Sequence, residues 1–167
     1  VLGTTAETPT LTEEEKKKIK KMVIERVNGR IPILLGVGGN NTRAIVETLK
    51  NDDFTGVDAI LSVVPYYNKP SQEGIYQHYK AISEATDLPI VLYIVPGRTG
   101  VNMKAETTLR IARDFKNVIA IKEASGDITQ MDDIIKNKPA NFDVISGDDG
   151  ITFPLITVGG VGSVAVM

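Results

Sequence analysis

Lys122 closes an apolar run, Val118-Ile119-Ala120-Ile121, and is followed at once by Glu123-Ala124-Ser125-Gly126-Asp127. A lysine directly after four strand-forming residues is expected where a buried β-strand meets the loop that follows it. An ammonium there is costly to desolvate, its pKa falls, and the neutral amine is a nucleophile toward carbonyls. The ordinary alternative is a lysine that simply reaches solvent at a strand end. Other reactive types follow other apolar runs: Gly3-Thr4-Thr5-Ala6-Glu7-Thr8 near the start, Pro65-Tyr66-Tyr67-Asn68-Lys69-Pro70 after Ala59 to Val64, Tyr93 within Ile90 to Val95, Pro96-Gly97-Arg98-Thr99-Gly100 after it, and Ser146-Gly147-Asp148-Asp149 after Phe142 to Ile145. Hydroxyls, phenols, one guanidinium and one amine are the tools of carbonyl chemistry with proton transfer.

Each of these residues also has a plainer reading. Thr4 and Thr5 suit a turn or a helix entry. Tyr66 and Tyr67 suit rim packing, and Tyr93 suits a core aromatic with a satisfied hydroxyl. Arg98, on a loop flanked by glycines, fits a carboxylate ligand as well as a surface position. Asp148 and Asp149 raise a metal reading, but adjacent acids beside glycines more often cap the next helix. No His or carboxylate cluster suits a metal, and His78 is expected to be structural. Gly36-Val37-Gly38-Gly39-Asn40-Asn41 lacks dinucleotide spacing and reads as a strand-to-helix turn.

The elements that would position these groups alternate. The runs Ile31 to Leu35, Ala59 to Val64, Ile90 to Val95, Val118 to Ile121, Phe142 to Ile145 and Gly162 to Val166 are apolar almost throughout, as in parallel strands covered on both faces. Between them lie helical periodicities: Ile19, Met22, Val23 and Val27; Ile75, Tyr79 and Ile82 in a helix over 72–86; Ala105, Leu109 and Ala112. Thr12 with Glu15 reads as a capping box, and Asp127 with Gln130 resembles one. Val1-Leu2-Gly3 looks like the tail of a further strand, for seven strands and six helices in all. Such a βα repeat winds into a barrel or a doubly wound sheet. Both ends fall inside strands, so the expectation is part of an α/β (β/α)8 TIM barrel, residues 1–167 supplying strands two to eight. Strand one and a C-terminal domain would lie outside it. A barrel lacking strand one cannot close, and its open edges invite aggregation, so these residues alone are not expected to be active.

The 167 residues are 42% apolar with a net charge of -2, enough for one core and without the basic footprint of a nucleic-acid or anionic-membrane binder. The Lys16-Lys17-Lys18 cluster, with Lys20 and Lys21, follows Glu13-Glu14-Glu15 and reads as a solvated helix face. The absence of cysteine excludes disulfides and thiolate metal sites. No apolar stretch approaches the ~20 residues of a membrane helix, and no signal peptide is visible. A cytoplasmic location without cofactor or metal is the expectation.

Taken together, GTTAET at 3–8, PYYNKPSQEGIYQHYKAI at 65–82, LYIVPGRTG at 92–100, IKEASGD at 121–127 and SGDD at 146–149 resemble the dihydrodipicolinate synthase family of pyruvate-dependent class I aldolases. The resemblance covers essentially the whole chain. It implies a (β/α)8 barrel followed by a small helical domain, a homotetramer built from dimers, and condensation of pyruvate with aspartate semialdehyde. It places the Schiff-base lysine at Lys122, the proton-relay tyrosine at Tyr93, the relay threonine at Thr5, and the tyrosine lent by a neighbouring subunit at Tyr67. Thr4 becomes the companion hydroxyl near the pyruvate carboxylate, and Arg98 the holder of the aldehyde's carboxylate. Gly147 becomes a backbone contact near the lysine, and Val164 an apolar wall.

Three departures from the family pattern stand out. Ala6 replaces a usual glycine and would be strained by about 1 kcal/mol at positive φ. Ile94 replaces a common asparagine, removing a hydrogen bond expected near Tyr93. Ala44, Glu13 and Lys16 replace residues that serve lysine feedback in some members, so weak or absent lysine inhibition is expected. The competing readings are a sister aldolase, such as N-acetylneuraminate lyase or a keto-sugar-acid aldolase, and a silent small-acid binder on the same scaffold. Arg98 and the paired threonines favour the synthase, and the joint presence of Lys122, Tyr93 and Thr5 argues against the silent binder.

Overall fold

A computed structural model describes residues 1–165; Val166 and Met167, where the last apolar run was expected to continue, lie outside the described residues. The chain runs α1 (Glu13–Val27), β1 (Leu34–Gly36), α2 (Thr42–Asn51), β2 (Ala59–Val63), α3 (Gln72–Ser83), β3 (Ile90–Ile94), the single turn α4 (Pro96–Thr99), α5 (Ala105–Asp114), β4 (Val118–Glu123), α6 (Ile128–Asn137), β5 (Asp143–Ser146), α7 (Asp149–Thr157) and β6 (Gly162–Ser163). The six strands form one parallel sheet in chain order. Among the described residues no helix is long and apolar enough to cross a membrane.

The expected strand tail at the start of the chain pairs with the sheet at Val1, beside β1, through the two bonds of a parallel pairing. The Val1 amine donates to the Leu34 carbonyl, and the Gly36 N–H donates to the Val1 carbonyl at 2.7 Å. Leu2 then turns away at φ 53°. A side chain at Gly36 would meet the Leu2 carbonyl oxygen at 1.9 Å, so only glycine allows this approach. The first full strand also starts later than its apolar run: Ile31 is exposed, and Pro32, with no N–H to give, delays the ladder.

Both sheet faces are apolar, as the unbroken runs required. One face, with Ile60, Ile90, Leu92, Ile94, Ile121 and Val144, packs against Ile75, Tyr79 and Ile82 of α3 and Leu109 and Ile111 of α5. The opposite face carries a smaller cluster, Leu61, Val91, Tyr93 and Ala120. Because side chains alternate along a strand, Lys122 lies on this second face, two residues after Ala120.

Helix entries follow the sequence. The Thr12–Glu15 capping box opens α1. Asn41, Ser71, Asp127 and Asp148 cap α2, α3, α6 and α7, which gives Asp148 a capping role. The Asp127 cap is one-sided, because the Gln130 side chain turns inward instead of closing a box. Of the apolar face expected on α1, Ile19, Val23 and Val27 are half-buried and only Met22 is exposed, at 57%; no α1 residue is fully buried, and Ile24 packs against the main core.

Candidate active site

Lys122 and Tyr93 occupy matching register positions on neighbouring strands. Two buried side chains on the same face at that register must touch, and the Lys122 Nζ lies 4.3 Å from the centroid of the Tyr93 ring. Lys122 is 7% exposed. Burial pushes its amine below the ordinary lysine range, in the direction that frees the lone pair. On the far side stands Gly147. A Cβ there would fall 2.8 Å from Lys122 Cε and 2.9 Å from Ala124 Cβ, so the glycine leaves the space that the lysine stem fills.

Burial pushes the Tyr93 phenol upward, while the Thr4 hydroxyl and the Arg98 charge pull it partly back. Thr4, Thr8, Leu61, Val63, Tyr66, Tyr93 and Arg98 line one cavity of about 330 Å³ at the C-terminal ends of the strands. Arg98 reaches it from α4, a helical turn that Pro96 starts and Gly100, at φ 72°, ends. The cavity joins the hydroxyls of Thr4, Thr8 and Thr99, the phenols of Tyr66 and Tyr93 and the cations of Arg98 and Lys16, and Tyr93 links it to the buried Lys122 amine.

The residues expected at the site are brought together unequally. Lys122, Tyr93, Thr4, Arg98 and Gly147 converge. Thr5, the second residue of a 3-10 turn over Thr4–Ala6, is exposed, and the hydroxyl beside Tyr93 belongs to Thr4. Tyr67 is 86% exposed at φ 69° and does not line the cavity. Val164 is half-exposed beyond β6, bonded through its N–H to the Ser146 carbonyl, and is not part of the cavity wall. No hydrogen-bonded chain Tyr93–Thr5–Tyr67 exists among the described residues.

Two departures prove harmless. Ala6 is not in the left-handed region, which Glu7 takes at φ 53°, so the alanine carries no positive-φ strain. Ile94 is fully buried on the helix-facing side of β3, opposite Tyr93, so an asparagine there would not have reached the phenol. His78 is buried between helices, its Nδ1 2.8 Å from the Thr42 hydroxyl. Tyr66, whose plainer reading is rim packing, lines this cavity and a second one of about 220 Å³ that also holds Glu13, Lys16, Lys17, Lys20, Asn40, Ala44 and Asp52.

The family model of the dihydrodipicolinate synthetase family matches residues 1–167. The chain belongs to this family. It is 84% identical over all 167 residues to the 4-hydroxy-tetrahydrodipicolinate synthase of Phocaeicola vulgatus and 52% identical over 166 residues to that of Bacillus subtilis. It covers 56% of the first of these relatives and 57% of the second. Among solved structures, the dihydrodipicolinate synthase of Thermotoga maritima is 50% identical with a TM-score of 0.95, and that of Aquifex aeolicus is 39% identical with the same score. The match covers 99% of this chain and 57% of each of those chains. The parallel sheet with its helices is thus a partial (β/α)8 barrel, and the chain spans a little over half the length of the family members it matches.

Proposed function

We propose that the complete protein condenses pyruvate with aspartate semialdehyde through an imine on Lys122, yielding 4-hydroxy-tetrahydrodipicolinate for lysine and diaminopimelate synthesis. The observation that carries this reading is the desolvated Lys122 amine against the Tyr93 ring, in space kept open by Gly147. The neutral amine adds to the pyruvate ketone, and water leaves to form the imine. The imine draws off electrons, a methyl proton departs, and the resulting enamine carbon attacks the aldehyde. The amino group of the second substrate then attacks the imine carbon, closing the ring as the bond to Lys122 breaks and its amine is released. Tyr93 carries protons at the imine, with Thr4 rather than Thr5 as its adjacent hydroxyl. Arg98, on the same cavity, pairs with the second substrate's carboxylate, which favours a short charged aldehyde over a sugar. Exposed Tyr67 is the residue a neighbouring subunit would receive in a cytoplasmic homotetramer. Borohydride reduction of the complete protein with pyruvate is expected to leave a mass gain of pyruvate less one oxygen atom on Lys122. An unlabelled Lys122 would leave only a silent binding protein.

The second cavity supports weak lysine feedback. Lys16, Lys17 and Lys20 line it, its carboxylates Glu13 and Asp52 are already paired with them, and Ala44 contributes no further carboxylate. A further ammonium would enter beside three others and find no unpaired carboxylate in the lining. Titrating free lysine into the complete enzyme is expected to leave turnover nearly unchanged at millimolar concentrations, and strong inhibition would contradict this reading.

A further inference from the structure

Glu123 adjoins Lys122 but points the other way, into the helix-facing core, and is fully buried. A buried carboxylate without partners costs several kcal/mol. Among the described residues no cation is within salt-bridge reach of it, and its partners are two neutral donors. Ser125 donates its N–H at 2.6 Å and Gln130 its Nε2 at 2.9 Å. Burial pushes the carboxyl up, and these donors pull it back. The neighbouring backbone is held on both sides: the Ala124 N–H donates to the Ile94 carbonyl, and the Gly147 N–H donates to the Glu123 carbonyl at 2.8 Å.

The polar contacts continue outward. Asn102 Nδ2 donates to Gln130 Oε1 at 2.8 Å, and Gln72 Nε2 donates to the Asn102 carbonyl at 2.8 Å. Gln72 Oε1 accepts from Thr107 Oγ1 and the Lys104 N–H. One chain thus joins three loops at the cavity end of the sheet: the one after Lys122, the one after Arg98, and the one that carries Tyr66 and ends at Gln72.

We propose that Glu123 is a positioning residue that, by holding Ser125 and Gln130, fixes the backbone after β4 and so aims Lys122 at the cavity. The role rests on the imine-forming reading of Lys122. It is geometric: Lys122 is on the other face of the strand, and its lowered amine is accounted for by burial alone. A displacement of about 1 Å at a reacting atom costs on the order of 10²-fold in rate.

The test is the rate of pyruvate trapping by borohydride in the complete protein, for wild type, Glu123→Ala, Glu123→Gln and Gln130→Ala, with folding checked by circular dichroism. Glu123→Ala is expected to slow trapping by about 10²-fold, with the pH of half-maximal trapping unmoved. Glu123→Gln, which keeps an acceptor for Ser125, is expected to recover most of the rate. Gln130→Ala leaves Ser125 held, is expected to slow trapping by roughly tenfold, and serves as the readout if Glu123→Ala does not fold. Wild-type trapping rates in folded Glu123→Ala, or in Gln130→Ala, would overturn the proposal. A displaced pH midpoint in Glu123→Gln would overturn it too, since that requires the charge rather than the geometry. Failure of the wild-type protein to label at Lys122 would instead remove the underlying reading.

Discussion

Replacing Lys122 by alanine in the complete protein is expected to lower turnover by on the order of 10⁴-fold or more, the scale reached when a covalent nucleophile is removed. Imine trapping should vanish with it. The fold should survive, because the change removes a buried amine whose charged form the pocket disfavours. Its loss opens a small cavity between Tyr93 and Gly147, on the face with the smaller apolar cluster. The accompanying pH dependence has a definite sign. Because burial lowers the amine's pKa, wild-type trapping should rise with pH and level off below the range of an exposed lysine. Turnover preserved in a folded Lys122→Ala protein would exclude covalent catalysis at this residue. Trapping that climbs only at the pH of ordinary lysines would exclude a desolvated amine.

The parallel sheet was legible because its strands are buried on both faces and therefore read as unbroken apolar runs. Ile60, Leu92 and Ile121 meet the helices, while Leu61, Val91 and Ala120 meet the opposite face. The same property hid which face each residue takes. Ile94 follows Tyr93 directly and so lies on the other side of β3, which is why its departure from the family pattern does not touch the site. Thr4 and Thr5 are adjacent and chemically identical. Only the 3-10 turn decides that Thr4 is the one beside the phenol. Met22 fits a helical period as well as Ile24, but α1 contacts the core where Gly56 leaves room for Ile24.

The network through Glu123, Gln130 and Asn102 was not legible, since polar residues after a strand and inside a helix normally read as solvated. The available signal was parity. Glu123 shares the face of Ile121, and a carboxylate on a buried face has to find donors. Tyr67 and Val164 show the opposite limit. Neither reaches the cavity within this chain, and a neighbouring copy or further chain would have to bring them into use.

His78 supplies the second large effect, on stability rather than turnover. Its imidazole is buried on α3 against Thr42 at the start of α2, and Nε2 has no partner among the described residues. Burial pushes its pKa from 6.5 down to about 4. The unfolded chain therefore takes up a proton more readily than the folded one between those values. Stability is full above about pH 6.5, falls as the pH drops, and the loss is complete near pH 4. The gap corresponds to roughly 3 kcal/mol, a large part of the 5–15 kcal/mol typical of a domain. Urea midpoints of the complete protein should fall over this range. His78→Gln, which can still bond the Thr42 hydroxyl but does not titrate, should flatten the slope by about that amount. Parallel pH profiles for the two proteins would show that acid acts elsewhere and that the buried ring can accept its proton without opening the α2–α3 contact.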